Sequence, residues 1–490
     1  MTNFPALVRE CMHSPGAIFI RGDDGRVLTY KDYWALSGRL ANTLSAHGVG
    51  VGDRVAVQVA KSIEALGLFL ACARLGAVFL PLNTAYTPTE IAYFAGDAEP
   101  SLLICEPEKS RVFSTLCKTV LTLDDRGRGT LLQGQSPSFE DAAMKWDDAA
   151  AILYTSGTTG KSKGAVLTHG NLASNALALV DAWAFTPRDV LIHALPIYHT
   201  HGLFTATNTV LLSGGSLLFR RKFDVDDVIG LLPQATTLMG VPTFYTRLLA
   251  HEKLSRELVR HMRLFISGSA PLLFETHKEF EEKTGHAILE RYGMTETSMN
   301  TSNPYQGKRK AGTVGMPLSG IEVRIADPVD GIGMVQVRGP NVFQSYWRNP
   351  EKTAAEFTPD GFFVTGDLGS FDDQGYLTIS GRGKDLVITG GFNVYPREIE
   401  TEIDQFPEVL ESAVIGIPHA DLGEGVVAVV ALRSGANKID ETAMIAALQK
   451  RLAKFKIPKK IVAVRELPRN AMGKVQKTQL RETYAGLFKA

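Results

Sequence analysis

Thr155-Ser156-Gly157-Thr158-Thr159-Gly160-Lys161-Ser162-Lys163-Gly164 is the stretch on which the reading of this chain turns. It follows an apolar run at residues 149–154 that reads as a strand. Its three glycines let the backbone wrap closely round a ligand. The serine and threonine hydroxyls and two lysines then surround that ligand with donors and positive charge, which suits a polyphosphate. Two familiar templates fail. A Walker A loop would need glycine at position 155, where Thr155 stands. The run Gly160 to Gly164 matches a hydrolase elbow, but Ser162 lies far past the strand, between lysines, where a nucleophilic serine cannot be held tightly.

Outward from this loop the chain alternates apolar runs with amphipathic stretches. Strands are expected at residues 54–59, 77–81, 101–105, 190–194, 216–219, 237–241 and 264–267. A helix is expected over 62–75, ended by Gly76, and another from a capping box at Thr87-Pro88-Thr89-Glu90. Such alternation predicts an α/β fold with two βαβ-type, largely parallel sheets. From about residue 312 short β runs (320–327, 334–338, 376–380) separated by Gly, Pro and Asp predict an antiparallel β subdomain. The last hundred residues predict a small, mobile α+β domain. The division expected is 1–384 and 385–490.

The 490 residues carry 52 Lys plus Arg against 52 Asp plus Glu, so the formal net charge is zero. Balanced charge offers no general attraction for a phosphate backbone, which argues against nucleic acid as a partner. The longest apolar stretch, 65–82, is interrupted by Arg74, so no membrane span is expected. Residues 1–15 have no apolar signal core. Cys11, Cys72, Cys105 and Cys117 form no CxxC pair and read as reduced thiols of a cytoplasmic protein.

Further motifs stand downstream in a fixed order: Tyr292-Gly293-Met294-Thr295-Glu296-Thr297, Thr365-Gly366-Asp367, Gly381-Arg382-Gly383-Lys384-Asp385 and Pro468-Arg469-Asn470-Ala471-Met472-Gly473-Lys474. With the loop at 155–164 they resemble the signature set of the acyl-adenylate-forming superfamily, in its acyl-CoA synthetase branch. The resemblance implies a two-step reaction. A carboxylate attacks the α-phosphate of ATP, and the thiol of coenzyme A then displaces AMP. It assigns the phosphates to Thr155, Ser156, Gly157, Thr158, Thr159 and Lys163. It assigns the rest of the nucleotide to Gly268, Ser269, Ala270, Glu290, Arg291, Tyr292, Gly293, Thr295, Asp367 and Arg382. Glu296 would hold Mg²⁺, a hard cation that prefers oxygen. Lys474 would stabilise charge developing between the carboxylate and the α-phosphate. Asp385 would be a hinge, and Gly390, Gly391 and Phe392 would line the coenzyme A channel after the C-terminal domain turns. His199 would gate the acyl pocket and orient the carboxylate. No third ligand accompanies His199 and His201 in a metal pair. Lys474 is also a candidate for acylation by a lysine acetyltransferase.

The acid itself is indicated by two cations. Arg247, in Gly240-Val241-Pro242-Thr243-Phe244-Tyr245-Thr246-Arg247, and Arg291 would place guanidinium groups where fatty-acid enzymes present apolar residues. A guanidinium pairs with a carboxylate in bidentate fashion. With His199, Ser269 and Met294 they form the expected substrate set. The wording of residues 265–272, 290–301 and 384–395 resembles malonyl-CoA synthetases, which implies malonate, and methylmalonate, as the acid. Ser298 departs from that group's pattern, which has asparagine. The competing readings are a ligase for another small, medium-chain or aromatic carboxylate, a carrier-loading module, and a nucleotide-binding homologue without activity.

Overall fold

Strands covered on both faces must be apolar almost throughout, and those at 54–58, 78–81, 102–105, 237–240 and 264–267 are buried nearly end to end. In the computed structural model, which describes residues 3–132, 135–155, 162–389, 392–419, 421–436, 438–452, 454–470 and 473–488, they build two sheets. Among the described residues the first sheet has the strand order Met316–Pro317, Ser298–Ser302, Leu289–Met294, Leu264–Ser267, Thr237–Gly240, Val190–His193, Ser216–Phe219, Ile18–Gly22, Val27–Thr29. From Leu289–Met294 to Ile18–Gly22 the pairing is parallel. The second runs Ser345–Tyr346, Lys163–Thr168, Ala149–Thr155, Val78–Pro81, Arg54–Gln58, Leu102–Cys105, Val120–Thr122.

The helix Ile63–Leu75 is buried all round. Ser62 caps its start by accepting from the Ala65 amide, and Gly76 ends it at φ 77°, a left-handed conformation in which glycine carries no Cβ penalty. Arg74, the charge inside this apolar run, is 1% exposed yet fully served. It pairs with Asp141 at 2.6 Å, donates to Ser37 and to the carbonyls of Trp34 and Phe139, and lies 4.0 Å from the Trp34 ring. A buried guanidinium survives where each donor has an acceptor. Here it staples the segment around 139–141 to two helices. Among the described residues no helix is long and apolar enough to cross a membrane.

A four-stranded antiparallel sheet follows: Glu322–Val329, Ile332–Arg338, Phe363–Phe371 and Leu377–Arg382. The last sheet holds Phe392–Val394, Val387–Thr389, Gly423–Leu432 and Val409–His419, with Lys460–Val464 parallel to Gly423–Leu432. Helices Pro396–Ile403, Glu441–Leu448 and Lys477–Tyr484 complete this C-terminal unit. Its two apolar clusters come from residues 387–461 and 413–488. The α/β class read from the sequence is therefore the class observed: a large N-terminal body of several sheets and a smaller C-terminal one. The stretch at 155–164 joins antiparallel neighbours, because Ala149–Thr155 pairs with Lys163–Thr168. The next helix begins only at His169, capped by Thr168. No helix N-terminus follows the loop directly, which is the structural reason a Walker A pattern does not fit it.

Candidate active site

The hairpin Leu289–Met294/Ser298–Ser302 carries the first group of side chains. A Cβ on Gly293 would lie 1.8 Å from the Ser298 carbonyl oxygen, so only glycine permits this approach. Tyr292 next to it sends its hydroxyl to Asp367 Oδ2 at 2.5 Å. Arg382 Nε meets Asp367 Oδ1 at 2.7 Å. Asp367 is delivered by the strand Phe363–Phe371, and Thr365 steadies it by donating to the Val335 carbonyl and accepting from the Asp367 amide. Burial raises the Asp367 pKa, while Arg382 and Tyr292 oppose that shift. Tyr292, Asp367 and Arg382, read from three separate motifs, thus meet.

Arg291 is 4% exposed, and its Nε and Nη2 have no hydrogen-bond partner among the described residues. Its guanidinium lies directly over Gly268, where a Cβ would sit 2.3 Å from the Arg291 Cζ. Burial pulls its pKa down to about 9. His201, on a π-helical turn His201–Ala206, has Nδ1 3.1 Å from Ser269 Oγ, and its buried Nε2 has no partner among the described residues. Ser269 holds a left-handed φ of 70°, a strained backbone of the kind that clusters at functional sites. Burial, then the Arg291 charge, drives the His201 pKa well below its ordinary value. For His199 burial, Lys474 and Arg291 bring it to about 3, so both imidazoles are neutral. Ala270 and Met294 are half-buried alongside, as is Thr295. Glu290 is buried, and burial lifts its carboxyl to about 7. Arg247 is exposed on the helix Pro242–Leu249, and among the described residues it has no ion pair.

The C-terminal unit closes one side. Lys474 is exposed along its length, while protein atoms crowd its ammonium. Desolvation and Arg382 lower its pKa, while Asp367 and Glu296 oppose them. Lys474 is thus within electrostatic reach of Asp367, Arg382 and Glu296. Its backbone forms a tight loop with Asn470, through Asn470 N to Lys474 O at 2.9 Å and Lys474 N to Asn470 Oδ1 at 3.0 Å. Asp385 is ion-paired with Arg481 of the last helix. Phe392 is exposed and stacks on Phe455 with ring centroids 4.5 Å apart. Thr155 and Lys163 face each other at the ends of the loop's two strands. Ser156, Gly157, Thr158, Thr159, Gly390 and Gly391 lie outside the described residues.

Glu296 is buried, and desolvation raises its pKa. A desolvated carboxylate gains from a hard divalent cation, so Glu296 fits the role expected for Mg²⁺. Among the described residues no group of three or more His, Cys, Asp or Glu is gathered for a metal, so the nucleotide phosphates would supply most remaining ligands. The Tyr346 hydroxyl lies 3.1 Å from Glu296 Oε1.

A cleft of about 880 Å³ opens nearby, where strand ends of both parallel sheets meet. Lys61, Pro196, Tyr198 and Phe244 line it, and at its rim Arg220 pairs with Asp227 while Arg221 pairs with Asp23 and Asp125. Lys61 ties the sheets together beneath it, donating to His193 Nδ1 at 2.8 Å and to the carbonyls of His193 and Leu195. His201, Tyr346 and Lys61 were not singled out as site residues from sequence. For His201 the available signal was its place two residues after His199.

Residues 7–347 match the AMP-binding enzyme family, and residues 398–474 match the AMP-binding enzyme C-terminal domain. A malonate–CoA ligase of Arabidopsis thaliana is 35% identical, over 99% of this chain and 89% of that protein. A feruloyl-CoA synthase of an Amycolatopsis species is 34% identical, over 97% of this chain and 98% of that protein. The crystal structure of ATP-bound MatB from Rhodopseudomonas palustris superposes with a TM-score of 0.97 at 56% identity, covering all of both chains.

Proposed function

The chain belongs to the AMP-binding enzyme family, and on that premise we propose that it is a malonate–CoA ligase. It is an acid–thiol ligase that uses ATP and coenzyme A. A carboxylate oxygen of the acid bonds to the α-phosphorus as the bond to the β-phosphate oxygen breaks, releasing pyrophosphate. The coenzyme A sulfur then bonds to the acyl carbon, the carbon–oxygen bond to AMP breaks, and the thiol proton is lost to solvent. No protein nucleophile is needed, so catalysis is alignment and charge stabilisation.

In this reading Tyr292 offers its ring to adenine while Asp367 and Arg382 hold the ribose and α-phosphate. Lys163, with Thr155, Ser156, Gly157, Thr158 and Thr159, takes the terminal phosphates. Lys474 bridges the incoming carboxylate and the α-phosphate. Bound Mg²⁺, held by Glu296, would neutralise charge on the transferring phosphates. Neutral His199 can accept no extra proton near pH 7, so it orients the carboxylate by donating a hydrogen bond. Gly390, Gly391 and Phe392 would line the path of coenzyme A, brought in when residues 385–490 turn about Asp385 against 1–384. Four unpaired cysteines support a reducing, cytoplasmic setting. Acylation of Lys474 by an acetyltransferase would remove the charge this step needs.

The observation that carries malonate is the buried Nε and Nη2 of Arg291 and the buried Nε2 of His201, all without a partner among the described residues. Buried donors without acceptors are costly, and a second carboxylate would satisfy them. An aliphatic chain or an aromatic ring would leave them bare. ATP–pyrophosphate exchange with malonate, methylmalonate, acetate, octanoate and benzoate tests this. Malonate should lead, with methylmalonate next. Exchange favouring octanoate or benzoate would reject the diacid reading while leaving the ligase intact.

A further inference from the structure

Glu356 lies outside every motif quoted above, just beyond the helix Pro350–Ala355. Three donors converge on its half-buried carboxylate. Lys352 Nζ is 2.7 Å from Oε1, and Lys163 Nζ is 3.3 Å from the same atom. The Tyr346 hydroxyl is 2.6 Å from Oε2. That same hydroxyl contacts Glu296, and the Lys163 ammonium sits 4.9 Å from the Tyr346 ring centroid. A phenol has one proton to donate. The shorter contact gives it to Glu356.

The two lysines are not held equally. Lys352 makes a close ion pair and Lys163 a loose one. Without Lys163, Glu356 would keep Lys352 and Tyr346. Without Glu356, Lys163 would have no ion-pair partner among the described residues. An anion on this side of Lys163 competes with any other anion for it. We propose that Glu356 is a positioning residue that occupies Lys163 in the nucleotide-free protein and hands it to the polyphosphate of ATP, Lys352 then holding Glu356 alone. This rests on the reading that ATP's phosphates lie against the loop at 155–164. Glu356 would keep the lysine extended towards the loop while its site is empty, and ATP would have to outcompete it.

The sign of the effect separates this from a purely structural role. The full-length protein would be titrated calorimetrically with MgATP, without acid or coenzyme A, and its unfolding midpoint recorded. Glu356→Gln removes the competing charge. It should bind ATP about two- to fivefold tighter, the range of a partly exposed ion pair. Lys352→Met leaves Lys163 as the only cation for Glu356 and should bind ATP about two- to threefold weaker. Loss of packing alone would weaken binding in both. Shifts in the same direction, or unchanged affinity in a folded Glu356→Gln protein, would overturn the proposal. If Glu356→Gln does not fold, Glu356→Asp, whose shorter arm retreats from Lys163, should shift affinity the same way as the glutamine would. Wild-type protein that binds no MgATP would instead overturn the functional reading on which the proposal stands.

Discussion

At the scale of single residues, the role proposed for Arg291 in selecting the acid carries a standing cost. Its guanidinium is buried, its Nε and Nη2 meet no acceptor among the described residues, and Gly268 leaves the room it fills. An unpaired buried cation destabilises a protein, and an apolar replacement of similar length removes that penalty. Arg291→Met should therefore lower kcat/KM for malonate by roughly a hundredfold or more, a loss of about 3 kcal/mol of binding. The same variant, free of substrate, should melt no lower than wild type. Exchange assays and a thermal melt read the two effects. Unchanged malonate activity would remove Arg291 from the acid's recognition. Function and stability pull apart at this position because the pocket is tuned to a ligand rather than to itself.

At the scale of elements, the strand Leu289–Met294 holds both Arg291 and Glu290. Burial lifts the Glu290 carboxyl to about 7, from 4.5 for the ordinary group. In the unfolded chain it loses its proton at lower pH than in the fold. The stability linked to it is thus fully present below about pH 4.5 and is lost as pH rises through 7. The full span is about 3 kcal/mol. Glu290→Gln has no such loss. Urea unfolding should show the variant gaining up to about 3 kcal/mol over wild type at pH 8 compared with pH 5. An equal difference at both pH values would mean that Glu290 is ionised in the folded protein at pH 5 as well. The element scale is also where the sequence was most legible. The helix Ile63–Leu75 starts and stops at Ser62 and Gly76 because capping is local chemistry. The close approach at Gly293 is written into contiguous residues in the same way. The antiparallel return after the phosphate loop was not foreseen, because an apolar run of six residues does not state which neighbour it will pair with. Glu356 and Tyr346 were invisible for a related reason. Each matters through a partner far off in sequence, Lys163 for one and Glu296 for the other.

At the scale of the whole molecule, the two cations of the adenylation site have different origins. Arg382 ends a strand of the body's β subdomain, and Lys474 lies between the strand Lys460–Val464 and the helix Lys477–Tyr484 of the C-terminal unit. If the C-terminal unit turns between the half-reactions, Lys474 serves only the first. Lys474→Ala should abolish most pyrophosphate exchange, by a hundredfold or more as expected for a lost charge contact in the transition state. Conversion of preformed malonyl-adenylate to thioester should stay within a few-fold of wild type. Comparable losses in both steps would argue for one fixed arrangement. The neutral total charge gave no hint of this gathering of cations, since a sum over the chain carries no position.

The C-terminal unit draws its apolar clusters from its own residues, on either side of one sheet. A piece that makes its own interior does not depend on its neighbour for its shape. A unit of that kind would act as a cartridge: the part bearing Lys474 could be exchanged between related chains while the surroundings of Arg291 stayed untouched. Selectivity and turnover are then inherited separately, and a lineage can change one without rewriting the other.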